Sequence, residues 1–226
     1  MDVHRFNFNS VLLKIKLEII MINFILKLFY STKNHFYEAK FMSKNNIVVV
    51  FHSGYGHTKK QAEYLAQGAG ATLVEINADG DITEAEWDLL DKADGIVFGA
   101  PTYMGMASWQ FKKFADTSSK RWFHSSWKDK VFGGFTNSAS FNGDKQNTIT
   151  FLLTLAMQHG GIWVSLGLMP SNTKAATRQD LNNLGSSIGA FAQSPSDCSV
   201  DEIPQGDLDT AKSYGERIAA TVKRLK

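Results

Sequence analysis

The stretch 46–61, NIVVVFHSGYGHTKKQ, constrains the fold more than any other: an unbroken apolar run stops at a small-residue loop that opens a helix. Residues 47–51 are β-branched or aromatic and apolar on both faces, as a strand buried inside a parallel sheet must be. The loop Ser53-Gly54-Tyr55-Gly56-His57-Thr58 follows at once, and residues 59–67 read as a helix that turns Ala62, Leu65 and Ala66 inward. Amides at a helix start point at whatever sits before them, and the helix dipole adds partial positive charge there. Ser53 and Thr58 add hydroxyls, while Gly54 and Gly56 permit positive φ and close approach to a ligand oxygen. The stretch therefore reads as a phosphate site, or else as a tight strand-to-helix turn that binds nothing.

Spacing narrows the kind of phosphate. A nucleotide-triphosphatase loop needs four residues between its glycines and then Lys-Ser or Lys-Thr, which this stretch lacks. A dinucleotide fingerprint needs a third glycine where Lys59 stands, although Glu75 lies about twenty residues downstream, where a ribose-binding acid belongs. What remains is a loop that clasps one terminal phosphate with hydroxyls and amides.

With 226 residues, 43% of them hydrophobic, the chain can bury one good α/β core. Its net charge of +2 comes from the N-terminus: removing the six basic and three acidic groups of residues 1–41 from totals of 24 and 22 leaves 18 and 19, a net of −1. A near-neutral globule has no electrostatic footprint for nucleic acid. The single Cys198 excludes internal disulfides and zinc clusters and fits a reducing compartment, the cytoplasm. No metal-ligand spacing of His or carboxylate residues is present.

Residues 1–41 contain no Gly or Pro, and roughly half are Phe, Ile, Lys, Asn or Tyr, residues with AT-rich codons. They read as a non-domain extension, translated upstream DNA, with a native start at Met42. Lys14, Lys16, Glu18, Asn23 and Lys27 interrupt residues 11–30, which fall short of the roughly twenty apolar residues of a membrane span; an amphipathic surface helix is the rival reading.

From Met42 strands and helices alternate, the signature of a doubly wound parallel sheet. Strands are expected at 47–51, 72–76, 94–99, 131–136 and 162–166. Thr83 and Glu86 form a capping box that opens a short helix. Further helices are expected at 107–117, 148–158, ended by His159-Gly160-Gly161, and 207–225. Loops after the first, third and fourth strands emerge at one edge of the sheet, where open α/β sheets bind ligands. Residues 167–201 form a long polar segment that reads as a lid or a subunit contact.

Ser53-Gly-Tyr-Gly-His-Thr58, Pro101-Thr-Tyr-Met-Gly105 followed by Gln110-Phe-Lys-Lys-Phe-Ala-Asp116, the Ser/Asn-rich loop after Phe135, and the helix ending His159-Gly160 occur in that order. In these segments residues 42–226 resemble flavodoxin-like flavoproteins, above all the tryptophan-repressor-binding-protein family of NAD(P)H:quinone oxidoreductases. The resemblance implies a five-stranded parallel sheet of order 2-1-3-4-5 with helices on both faces, and one FMN. It places the phosphate against residues 53–58 and the isoalloxazine against Pro101, Thr102, Tyr103, Met104 and Gly105 and against Thr136, Asn137, Ser138, Ala139 and Ser140. It also implies Trp122 over the pocket, His159 as the catalytic group near the reactive face, NAD(P)H as co-substrate, a quinone acceptor and a homodimer or homotetramer. Asn137, Ala139 and Phe141 depart from the family's Thr/Ser/Gly loop, and residues 184–194 look more like NADPH-dependent FMN reductases. A single-electron carrier of the flavodoxin type and an NADPH-dependent FMN reductase are the alternative functions.

Each of these residues has a plainer role open to it. His159 could cap its helix, and Trp122 and Trp127 could pack on the sheet edge. His57 reads as loop-shaping rather than catalytic, and Met104 and Met106 as an apolar lining.

Overall fold

Every side chain of β1 (Ile47–Phe51) is buried, and alternate residues feed two different cores. Val48 and Val50 enter one cluster, Ile47, Val49 and Phe51 the other. Such a strand is stable only with helices on both of its faces. A computed structural model describes Met21 and residues 46–226; apart from Met21, the extension expected over 1–41 and the start at Met42 lie outside them.

β1 pairs in parallel with β2 (Thr72–Glu75) on one side and β3 (Gly95–Tyr103) on the other. A two-residue return, β4 (Met106–Ala107), pairs antiparallel with the end of β3, and β5 (Val131–Ser138) runs parallel along β3. The outer position is shared. β6 (Ile162–Trp163) pairs with Val131 and Phe132, and β7 (Ala190–Gln193) with residues 135–138. With β6 and β7 taken as one interrupted strand, the order is β2-β1-β3-β5-β6/β7, which without the β4 return is the flavodoxin-like 2-1-3-4-5. The expected fifth strand, 162–166, is thus shorter: Val164 N still reaches the Phe132 carbonyl, but Leu166 N bonds to the Ser187 carbonyl, and Gly167, with a left-handed φ of 72°, then turns the chain. The polar segment expected over 167–201 as a single loop contains β7. Its insertion is tied down by Asn182, whose Nδ2 donates to Leu168 and Ser186 carbonyls at 3.0 and 2.9 Å.

α1 (His57–Ala69) and α6 (Gln205–Leu225) cover one face; α2 (Glu84–Lys92), α3 (Trp109–Thr117) and α5 (Lys145–Gln158) cover the other, and a short α4 (Ser119–Phe123) precedes β5. The Thr83–Glu86 capping box forms: Glu86 N donates to Thr83 Oγ1 at 3.3 Å and Thr83 N to Glu86 Oε2 at 2.7 Å. On the second face Phe98 lies among the rings of Phe111, Phe114, Trp127 and Phe132, with centroids 5.2–6.4 Å away. Trp127 is fully buried, and its Nε1 donates to Asp91 Oδ1 at 2.7 Å.

His159 caps α5 and is 5% exposed, with its ring 4.4 Å from that of Trp127. Ser118 Oγ donates to the Ala115 carbonyl at 2.6 Å, so it accepts from His159 Nε2–H at 3.0 Å, and Nδ1 is the bare nitrogen. Burial lowers the His159 pKa to about 4. Below pH 6.5 the unfolded chain therefore takes up a proton that the folded one refuses, and stability falls until about pH 4. We expect a loss of about 3 kcal/mol across this window, visible as a lower urea midpoint, and a flatter profile in His159→Gln.

Candidate functional site

The carboxyl ends of β1, β3 and β5 and the chain leaving β7 surround one cleft of about 820 Å³, a size typical of small-molecule sites. Tyr55, His57 and Thr58 line it from the first loop; Pro101, Thr102 and Tyr103 from the end of β3; Asn137, Ser138 and Ala139 from the end of β5. The fourth wall comes from Ser194, Pro195, Ser196, Cys198, Ser199 and Val200.

The first loop is built as an anion cradle. Ser53 Oγ accepts from the amides of Gly56 and Lys59, both at 3.1 Å, which bends the loop around its own hydroxyl. Gly56 sits at the helix start with φ 89°, and a Cβ there would come within 2.9 Å of Val200 Cγ2. A Cβ on Gly54 would lie 2.6 Å from the Tyr103 hydroxyl, so a side chain there would displace the Tyr103 ring. Among the described residues the amides of Tyr55, His57 and Thr58 find no backbone partner, and the first turn of α1 holds no acid. Donors without a carboxylate fit the phosphate monoester of FMN. Lys59 turns away to Glu75 at 2.7 Å, and Lys60 to Asp201 at 3.3 Å. Glu75, the acid in a ribose-binding position, is therefore spent on an ion pair.

Above the cradle, Tyr55 and Tyr103 meet edge to face with centroids 6.1 Å apart. Burial raises the Tyr103 pKa, so its hydroxyl stays protonated. Asn137 Nδ2 donates to Ser194 Oγ at 2.7 Å, while its buried Oδ1 has no partner among the described residues. His57 Nε2 donates to the Cys198 carbonyl at 3.1 Å, a loop-shaping contact. Burial raises the Cys198 pKa and keeps it a thiol.

Several expected site residues lie elsewhere. Thr136 is fully buried beneath the cleft in a hydroxyl trio with Thr102 and Thr148, linked at 2.8 and 2.7 Å. Met104 and Gly105, with φ of 48° and 80°, form the tip of the β3–β4 hairpin, and Met104 is wholly exposed. Ser140 sits in the loop beyond the lining. Trp122 and His159 belong to the opposite, amino edge of the sheet. The backbone of Gly160 bonds Asp129 just before β5 begins, about 20 Å of strand away from Asn137. A helix that returns antiparallel to its strand ends at that edge, so His159 does not face this chain's own cleft, and Trp122, half exposed on α4, does not cover it. The 194–200 wall lies within the 167–201 segment that reads as a lid or a subunit contact, although no residue of its Ser-Pro-Ser-Asp-Cys-Ser run stands out as a lining residue.

Among the described residues no three His, Cys, Asp or Glu side chains are grouped to hold a metal, and no helix is long and apolar enough to cross a membrane.

Comparison with known proteins agrees with this geometry. Residues 48–152 match the model of the flavodoxin domain. Flavodoxin FldP of Pseudomonas aeruginosa (strain UCBPP-PA14) is 62% identical over 178 residues, covering 79% of this chain and 97% of that protein. An NAD(P)H dehydrogenase (quinone) of Solidesulfovibrio magneticus is 29% identical over 206 residues, 80% of this chain and 99% of its own. The crystal structure of a WrbA-like flavodoxin from Agrobacterium tumefaciens superposes with a TM-score of 0.67 at 53% identity, covering 80% of this chain and 98% of that one. The chain belongs to the flavodoxin family.

Proposed function

We propose that the protein binds one FMN in this cleft and passes its electrons to another protein. The observation that carries this reading is the cleft's outer rim. Beside a redox site made of loops, Tyr55, Met104, Met106 and Trp109 are displayed to solvent, with exposures of 78, 103, 48 and 61%. An apolar patch of this kind marks a contact surface. When bound, the flavin supplies the redox chemistry. The chain's own residues then hold its phosphate at the 53–58 cradle, fix its ring between the ends of β3 and β5, and shield it with the 194–200 wall. The 62% identity to a protein named flavodoxin supports the same reading.

A second reading, NAD(P)H:quinone reduction by alternate hydride and two-electron transfers, is favoured by one specific observation. A groove of about 940 Å³, lined by Tyr103, Met104, Met106, Trp109 and Phe151, adjoins the cleft at Tyr103 and suits a small apolar acceptor. In that reading the protein is a homodimer or homotetramer. Trp122 and Phe123, exposed at the amino edge, and any contribution of His159 would then act on a neighbouring subunit's cleft.

One experiment separates the two. FMN-loaded protein is mixed anaerobically with NADH or NADPH, then with benzoquinone, and its mass is measured by sedimentation. A carrier leaves the flavin unbleached by either nucleotide and shows no quinone-dependent NADPH consumption. Rapid bleaching followed by stoichiometric quinone reduction, in an oligomer, establishes the second reading.

A further inference from the structure

Beneath the loop that joins β5 to α5 lies a lysine with no exposed surface, Lys145. Its Nζ donates to three successive carbonyls, of Ser140 at 2.6 Å, Phe141 at 3.0 Å and Asn142 at 3.5 Å. Gln193 Nε2 takes the preceding carbonyl, of Ala139, at 2.7 Å. Four consecutive carbonyls are therefore drawn to the protein side. In a trans peptide the N–H lies opposite the carbonyl, so the amides of Phe141, Asn142 and Gly143 turn away from Lys145, and that of Ser140 away from Gln193. None of the four has a backbone acceptor among the described residues. Gly143 and Asp144, at φ 52° and 54°, then reverse the chain into α5.

An ammonium held by neutral carbonyls is expensive to bury. The charged groups that face it are Asp207 of α6, itself 2% exposed and ion-paired to Arg178, and Arg178 of the insertion. A methionine would fill the same space without a charge to desolvate but would leave three loop carbonyls without their donor, and the lysine is what gathers them. The loop it shapes begins at the lining residues Ser138 and Ala139.

We propose that Lys145 is a positioning residue for the cofactor: it holds the carbonyls of residues 140–142 inward and so presents the loop's amides as a row of donors at the cleft's rim, toward the electron-rich edge of the flavin ring. This role rests on the FMN reading above. Burial lowers the Lys145 pKa to about 8, so its charge is present at pH 7 and lost by pH 9. The cleft's Cys198 and Tyr103, both shifted up by burial, titrate above that window.

The test is the FMN dissociation constant between pH 7 and 9, for wild type and Lys145→Met, with urea unfolding at pH 7 alongside. Wild type is expected to lose about tenfold in affinity as pH rises through 8, and Lys145→Met to bind about tenfold more weakly at pH 7 with a flat profile, the loss of one charged hydrogen-bond donor. The folded pKa lies below the unfolded value, so the unfolded chain holds the proton more tightly, and the charge lowers stability at pH 7. Methionine removes that charge and also the donor to three carbonyls, so the urea midpoint serves to verify that the variant is folded at pH 7. Should it fail to fold, the wild-type profile decides alone. FMN affinity that is flat with pH in wild type, or a variant as tight or as pH-dependent as wild type, overturns the role of Lys145. No FMN binding by wild type at any pH overturns the FMN reading itself and this role with it.

Discussion

Thr58→Glu is expected to abolish useful FMN binding. Thr58 is 2% exposed in the first turn of α1, where unpartnered amides converge and no acid is present. A carboxylate there stands against the phosphate with no basic side chain turned inward to offset it, since Lys59 and Lys60 are paired elsewhere. Two like charges about 4 Å apart at an effective dielectric of about 20 repel by about 4 kcal/mol, which is about a thousandfold in affinity. Flavin content after dialysis and titration of the apoprotein read the effect directly. Thr58→Val, which removes only the hydroxyl, is expected to lose about tenfold. Retention of flavin by Thr58→Glu would place the cofactor elsewhere.

The largest stability effect is expected from Phe98→Ala. Phe98 sits on the central β3, fully buried, with four aromatic rings around it and α3 packed above. Neighbours anchored on three different elements cannot all collapse into the space left behind, so the transfer and cavity contributions add. The loss is about 3–5 kcal/mol, or a melting temperature lower by about 10 °C for a domain of this size. Thermal unfolding followed by near-ultraviolet circular dichroism checks it. A change under about 1 kcal/mol would mean that the cluster repacks freely.

Much of this architecture was legible because its signals are local. The 47–51 run is apolar on both faces only because helices cover both, and the Thr83–Glu86 box fixes a helix start with its own side chains. The residues that line the cleft at the ends of β1, β3 and β5 were readable for the same reason: small and hydroxyl residues follow directly on apolar runs. What escaped depends on distant pairing. β3 and β5 extend further than their apolar cores, since Pro101–Asn137 and Ala100–Thr136 continue a ladder that no propensity at Pro or Asn announces. β7, Ala-Phe-Ala-Gln, is too short and too weakly alternating to separate from its polar surroundings. His159 was assigned to the cleft by resemblance; strand and helix direction alone put it at the other edge. Lys145 falls outside the helix expected at 148–158, which begins three residues earlier in the structure, and its burial follows from the loop folded over it.

The interrupted outer strand sets the order in which the molecule assembles. Residues 135–138 meet residues 190–193 only after more than fifty intervening residues have been brought round, whereas β1, β2 and β3 are joined by far shorter connections. Closing the long loop loses chain entropy before its contacts repay it. β7 and the 194–200 wall behind it are thus expected to form late and, without a ligand, to open early. A ligand that bridges this wall and the 53–58 cradle clamps the last-formed edge to the first-formed one. The cofactor is in this sense the final element of the fold, and amide exchange in residues 190–200 is the property that flavin occupancy slows most.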